Sequence, residues 1–365
     1  MREKGLSSDQ LFSFLLSKKG EDIDHAHILS SMCTLPHPVA VRAHMEFMET
    51  NLGDPGLFPG TAWLERLLIE RLGTLLHLPT ACGYATTGGT ESNIQALRIA
   101  RALGGKERPN VVIPESAHFS FKKACDILCL EMKTIPLDSE YRMDARAAEE
   151  MIDRNTCCLV GIAGTTEYGM VDPIADLAGI ARDHDLFFHV DAAFGGLVLP
   201  FLPGAPHFDF SLPGVSSIAV DPHKMGMSTI PSGVLLVRDR EALCSLMVDT
   251  PYLSTKQGYT LSGTRPGASV AGALAVLEYE GIEGFRDIVA GCMKNMRRLT
   301  DGMETYGVMR AVTPDVNVAT FAPVHVPPPW IVSYTRGGHL RIVCMPHVHA
   351  GVVESFLKDF GEHHA

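Results

Sequence analysis

Lys224 lies in the segment SIAVDPHKMG (217–226), where an apolar run leads into Asp-Pro-His and the lysine stands between a histidine and a methionine. An amine in such surroundings loses hydration and titrates low, which turns it into a nucleophile toward carbonyl carbon. A lysine snorkelling to solvent from a strand end is the plainer alternative. Earlier in the chain Asp191 ends an apolar run within FFHVDAAFGG. A carboxylate at a buried sheet edge calls for a cation or a protonated nitrogen, unless it caps the next helix. The small Ala192 and Ala193 beside it leave room for a flat ligand. His118, in VVIPESAHFSF, follows another strand-like run, and its ring is suited either to stacking on an aromatic ligand or to an ordinary turn. In YATTGGTESN (84–93), two glycines and several hydroxyls directly precede a helical pattern. Backbone N–H groups at a helix start, joined by Thr or Ser hydroxyls, form an anion cradle, although the same pattern also serves as a plain N-cap. It is neither GxGxxG nor a GK[ST] loop.

Each of these features sits where a strand ends and the chain turns, the edge at which ligands collect in open α/β sheets. The elements around them alternate. Apolar runs (NVVIPES, MKTIPL, CCLVGIAG, LFFHVDAAFGG, SSIAVDP, GVLLVRD) are separated by helical stretches such as IQALRIARAL, Ser120 to Leu128, DARAAEEMID and PIADLAGIARDHD. Runs apolar on both faces predict a mainly parallel sheet covered by helices, an α/β fold. Residues 1–60, broken by SSMCTLPHP and NLGDPGLFPG, read as an arm. Residues 61–260 read as the large domain, opened by the helix TAWLERLLIERLGTLLHL. Residues 261–365 read as a small α+β domain, with helices ASVAGALAVLEYEG and FRDIVAGCMKNMRRLTDGME, strand-like VNVATFAP and LRIVCMP, and a last helix at GVVESFLKDF.

Composition narrows the function class. With 31 Lys plus Arg against 42 Asp plus Glu, the net charge of −11 repels nucleic acid and anionic lipid. The N-terminal apolar run LFSFLL is too short for a signal-peptide core or a membrane span, so a short amphipathic helix in a cytoplasmic protein is expected. The nine cysteines form no CxxC pair or disulfide framework and read as reduced thiols. His347 and His349 make an HxH pair and His363 and His364 lie near the C-terminus, but no third ligand has matching spacing, so no metal site is expected.

Taken in order, an anion cradle, a stacking histidine, an aspartate and a lysine are the parts needed to hold a phosphorylated pyridine aldehyde. At this point the sequence resembles the pyridoxal-phosphate enzymes of the aspartate-aminotransferase fold, and more closely the group II amino-acid decarboxylases. TTGGTESN, SAHFS, HVDAAFGG and DPHKMG carry the resemblance, and GTRPG and LRIVCMP extend it into the small domain. SMCTLPHP and NLGDPGLFPGT make it similar above all to the archaeal tyrosine/aspartate decarboxylases.

The resemblance implies pyridoxal 5'-phosphate held covalently by Lys224, with Asp191 on the pyridinium nitrogen and His118 stacked over the ring as a catalytic residue that helps to protonate the product carbon. Thr87, Gly88, Gly89 and Thr90, with Ser217 and His223, are then expected at the phosphate, Ala193 beside the ring and Thr165 near its hydroxyl. Arg341 takes the substrate carboxylate bidentately, or else is a surface residue starting a strand. Tyr259, in LSTKQGYTLSGTRPG, falls in the region where such decarboxylases carry a mobile-loop tyrosine that returns a proton. Thr264 is expected near a dimer interface, reaching the neighbouring subunit's phosphate, so a homodimer is implied. The expected reaction releases carbon dioxide from L-tyrosine, giving tyramine, or from L-aspartate, giving β-alanine. For aspartate, Arg336 or His339 is available to its side chain; for tyrosine, the Met32 to Pro36 arm. A carbon–carbon lyase similar to sphingosine-phosphate lyase shares several of these motifs and is the competing reading, as is a silent scaffold with a vestigial site.

Overall fold

The computed structural model describes residues 1–364. The expected apolar runs become strands β2 (Asn110–Pro114), β3 (Glu131–Ile135), β4 (Thr156–Ile162), β5 (Phe187–Asp191), β6 (Ser217–Val220) and β7 (Gly233–Val237), and a further strand, β1 (Cys82–Thr86), precedes them. They form one sheet in the order β1-β7-β6-β5-β4-β2-β3. β3, β2, β4, β5 and β6 run parallel, and β7 runs antiparallel to both β6 and β1. Every residue of β2, β4, β6 and β7 is buried, as a sheet covered on both faces requires.

The helices are α1 (Ser8–Lys19), α2 (Pro38–Glu46), α3 (Pro59–Leu75), α4 (Gly89–Gly104), α5 (Ser120–Leu128), α6 (Ala145–Glu150), α7 (Ile174–Asp183), α8 (Arg240–Cys244), α9 (Gly267–Thr305) and α10 (Ala350–His364). A small hairpin, β8 (Val248–Asp249) with β9 (Gln257–Gly258), precedes the GTRPG turn. In the C-terminal region β10 (Val318–Phe321), β11 (Ser333–Tyr334) and β12 (Leu340–Val343) form an antiparallel sheet in the order β10-β12-β11. Among the described residues no helix is long and apolar enough to cross a membrane.

One element differs from the sequence reading. Gly83 to Asn93 reads as a Gly/Thr-rich turn, yet residues 82–86 form β1. A Cβ added at Gly83 would lie 2.0 Å from the Leu235 carbonyl oxygen, so a glycine lets β1 approach β7. The two helices expected after GTRPG are the two halves of α9, which meet at Gly281 (φ 58°, ψ −168°), where the backbone leaves helical geometry. α9 also spans two cores. Val270, Ala273, Leu274, Phe285, Val289 and Cys292 belong to the main core, while Met296, Leu299 and Met303 pack with the small sheet and α10.

Candidate active site

The residues quoted for chemistry converge at the carboxyl edge of the parallel strands, around a cavity of about 290 Å³. Thr87, Gly88, Gly89, Thr90, His118, Asp191, Ala193, His223 and Lys224 line it, together with Asn93, Thr166 and Asp221.

The cradle is built by the start of α4. Gly88 is the N-cap at φ 145°, and a Cβ there would lie 3.1 Å from His223 Cε1, so the turn needs glycine twice over. Glu91 in the first helical turn reaches back, accepting from the Thr87 amide and from the Thr87 hydroxyl, each at 2.9 Å. This fixes the loop and leaves the first N–H groups of α4 facing the cavity, where the helix dipole favours an anion.

Asp191 ends β5 and is buried. Asn93 Nδ2 donates to its Oδ2 at 2.9 Å, and the Ala193 amide donates to Oδ1 at 3.0 Å. Asn93 Oδ1 lies 2.9 Å from His189 Nε2, and His189 Nδ1 lies 2.8 Å from the Ser217 hydroxyl. An amide that donates to a carboxylate turns its oxygen toward His189, so the proton sits on Nε2 and Ser217 donates to Nδ1. Burial lowers the His189 pKa to about 4, in keeping with a neutral ring. The Asn93–His189–Ser217 chain behind Asp191 is not visible in the spacing of motifs.

His118 sits in the β2–α5 loop with Nδ1 accepting from the Ser120 amide at 3.3 Å. Burial lowers its pKa, opposed by the Asp191 charge and reinforced by Lys224. Lys224 Nζ is 3.2 Å from Asp221 Oδ2. The arm closes on the same place: burial raises the Cys33 thiol pKa, the Lys224 charge lowers it and the Asp221 charge raises it. His347 pins this arm through the Thr34 hydroxyl and the Ile28 carbonyl, both at 2.9 Å.

Arg341, on β12, is buried and lies beside the cavity wall. Its Nε donates to the carbonyl of Thr166, and Nη1 donates to the Ser30 carbonyl at 2.9 Å and to the Ser333 hydroxyl at 3.0 Å. Nη2 is buried with no hydrogen-bond partner. Burial lowers the guanidinium pKa to about 10, so its charge persists at neutral pH.

Several expected site residues lie elsewhere. Ser217 is fully buried at the opposite end of β6 and bonds His189, away from the cradle. Thr165 uses its hydroxyl to accept from the Met170 amide at 3.0 Å within its own turn, and its neighbour Thr166 lines the cavity instead. Tyr259 packs on Tyr84 with ring centroids 5.9 Å apart and does not line the cavity of its own chain. Thr264 is exposed, whereas the adjacent Arg265 is buried and binds Glu65, Ala85 O and Leu52 O, tying the GTRPG turn to β1. Arg336 is already engaged: its Nε is 3.0 Å from Glu167 Oε1, and it donates to the carbonyls of Glu115 and Ala117. His339 lies 3.3 Å from the Tyr168 hydroxyl and edge-on to Tyr168 and Tyr141.

These residues fit a phosphorylated pyridine aldehyde. A glycine cradle at a helix start suits the phosphate, a buried, hydrogen-bonded carboxylate suits a protonated ring nitrogen, and the Lys224 amine lines the same cavity. The comparisons agree. Residues 48–320 match the pyridoxal-dependent decarboxylase conserved domain. The chain is 68% identical over 365 residues, covering all of both chains, to a probable L-tyrosine/L-aspartate decarboxylase of Methanoregula boonei. It is 48% identical to a probable L-aspartate decarboxylase of Archaeoglobus fulgidus, covering 95% of this chain and 97% of that one. Among solved structures it is similar to the sphingosine-1-phosphate lyase of Burkholderia pseudomallei, with 26% identity and a TM-score of 0.90 over 99% of this chain and 91% of that one. The glutamate decarboxylase of Lactobacillus brevis shares the fold at TM-score 0.91 and 20% identity, over 99% of this chain and 93% of that one. The chain belongs to the pyridoxal-dependent decarboxylase family, with a fold of the aspartate-aminotransferase type and pyridoxal 5'-phosphate as its cofactor.

Proposed function

We propose that this enzyme releases carbon dioxide from L-tyrosine and L-aspartate, giving tyramine and β-alanine. In each turnover the carboxylate leaves as carbon dioxide, a proton takes its place on the α-carbon, and the amine is retained. The observation that carries the reading is the Arg341 guanidinium, held at three points beside the cavity wall with Nη2 buried and unpaired. A buried cation with an unused N–H edge suits a carboxylate. The archaeal relatives named for tyrosine and aspartate support the substrate pair.

When bound, the cofactor supplies an electron-withdrawing ring that stabilises the electron pair left at the α-carbon. The protein does the rest. Lys224 would hold the cofactor through its aldehyde group, its amine being the one that lines the cavity. Asp191, fixed by Asn93, holds a proton on the ring nitrogen. Gly88, Gly89 and Thr90 at the start of α4, with His223, hold the phosphate. Thr87 shapes that cradle through Glu91. His118 would cover the cofactor ring, Ala193 would leave it room, and Arg341, through its free Nη2, would hold and orient the substrate carboxylate.

The enzyme works as a homodimer in the cytoplasm. Helix α1 supports this: Leu11, Phe12, Phe14, Leu15 and Leu16 are all exposed, and no residue of the helix is buried. In that dimer Tyr259 and Thr264, outside the cavity of their own chain, serve the partner's site. The products fit coenzyme A and methanofuran biosynthesis in an archaeon. A carbon–carbon lyase is the second reading, favoured by the likeness to the Burkholderia lyase.

One assay separates these readings. Carbon dioxide release is measured from tyrosine, aspartate, glutamate, phenylalanine and histidine with added pyridoxal phosphate, beside aldehyde release from a phosphorylated long-chain amino alcohol. Release from tyrosine and aspartate alone is expected; aldehyde without carbon dioxide would replace the proposal by the lyase. Borohydride treatment of the loaded protein is expected to attach a pyridoxyl group to Lys224, and labelling of another lysine would remove Lys224 from its role.

A further inference from the structure

Asp221 has no part in the scheme above, yet it faces the phosphate cradle. It follows β6 and is 2% exposed. Its Oδ2 lies 3.2 Å from Lys224 Nζ and 3.8 Å from His223 Nε2, and its Oδ1 has no hydrogen-bond partner. A Cβ built on Gly89, in the first turn of α4, would lie 3.1 Å from Oδ2 and 3.6 Å from Oδ1. A buried carboxylate with an empty acceptor therefore stands at the helix start that suits an anion. The other titratable groups around this point are His223 and Lys224 on the same turn, His118 on the β2–α5 loop, Asp191 at the end of β5 and Cys33 on the arm.

Two full negative charges packed together in a desolvated site repel strongly, and Lys224 and His223 offset only part of this. An unpaired buried acceptor is also unfavourable until a donor arrives. One proton relieves both. A phosphate monoester has its second pKa near about 6, so its monoanion carries an O–H donor that the dianion lacks.

Resting on the cofactor reading, we propose that Asp221 makes the cradle take the cofactor phosphate in its monoprotonated form. The phosphate O–H is donated to Asp221 Oδ1, so loading above neutral pH takes up one proton from solvent. No covalent bond is made or broken in this step. Asp221 is thus a binding residue that couples cofactor loading to pH.

The test uses the full-length chain freed of cofactor and titrated with pyridoxamine 5'-phosphate, which has no aldehyde for Lys224. Calorimetry at pH 8 in two buffers of different ionisation enthalpy reads the proton count directly, and pyridoxamine without phosphate corrects for its amine and ring. The expected result is uptake of about one proton per site, with the Kd rising about tenfold per pH unit from pH 7 to 9. Asp221→Asn places an N–H donor at the same position. It is expected to abolish the uptake and to bind about tenfold or more tightly than wild type at pH 9, with the difference vanishing by pH 6. Absence of uptake in the wild type, which needs no variant, overturns the proposal. So does uptake that persists in Asp221→Asn, or weaker binding by that variant at pH 9. If pyridoxamine 5'-phosphate fails to bind the wild type at every pH, the cofactor reading itself falls.

Discussion

Asn93 Nδ2 donates to Asp191 Oδ2 at 2.9 Å while its own carbonyl oxygen meets His189 Nε2 at 2.9 Å. Helix α4, whose start forms the cradle, therefore also orients the carboxylate for the ring nitrogen. Replacing Asn93 by Ala removes a hydrogen bond to a charged group, about 1.5–3 kcal/mol, and leaves the His189 N–H unpaired. Cofactor affinity is expected to fall about tenfold to a hundredfold, measured by absorbance titration of the freed protein. Wild-type affinity in Asn93→Ala would show that Asp191 needs no such support.

His189 makes the fold acid-sensitive. Its pKa is depressed by burial from 6.5 to about 4, so between those values the unfolded chain binds the proton and the folded one does not. The stabilisation is complete above pH 6.5 and is lost as pH falls toward 4, a change on the order of 3 kcal/mol. Melting temperature should drop across this window, and His189→Gln should flatten the slope. Parallel slopes in the two proteins would assign the acid sensitivity to other groups.

Arg341→Lys keeps a positive charge and loses the planar fork. Nε and Nη1 are already bonded within the chain, so the free edge is Nη2 alone and not the two-nitrogen fork expected from the sequence; KM for the amino acid should rise about tenfold to a hundredfold as the Nη2 contact is lost, with cofactor affinity unchanged. Steady-state kinetics on tyrosine and aspartate check this. A fall in cofactor affinity with unaltered KM would place Arg341 in cofactor binding.

Arg336 was available for an aspartate side chain in the sequence reading; in the structure it fastens the β11–β12 loop to Glu167 and to the carbonyls just before His118. Arg336→Gln should therefore lower kcat for tyrosine and aspartate by the same factor, a few-fold. Stability should change by about 1 kcal/mol or less, because an exposed ion pair contributes little. Loss confined to aspartate would restore the direct role.

The placement of Lys224, Asp191 and His118 was legible because each follows an apolar run, and parallel strands bring such ends to one edge; the two-glycine turn was legible from its glycines and hydroxyls directly before a helix. Residues whose position depends on distance along a strand were not. Ser217 precedes the turn by the length of β6, which at roughly 3.3 Å per residue carries it roughly 13 Å from Asp221. Thr165 and Thr166 are adjacent and identical, and only the turn geometry decides which one faces the cavity. The Asn93–His189 pair joins residues 96 apart, so no local pattern announces it. β1 was hidden because its glycine, a close-approach residue, reads as a turn.

Arg341 and Lys224 lie on opposite sides of the Gly281 break, and α9 links the main core to the small sheet that carries Arg341. No atom lies within 4 Å of where a Gly281 Cβ would stand, so the cost of filling it is conformational, not steric. Phe285, Val289 and Cys292, beyond the break, still pack in the main core, so the break lies within the helix's hold on that core and the passage to the small sheet follows only at Met296. A side chain at 281 therefore strains α9 where both of its halves are seated in one core, and leaves the lysine and the arginine where they stand.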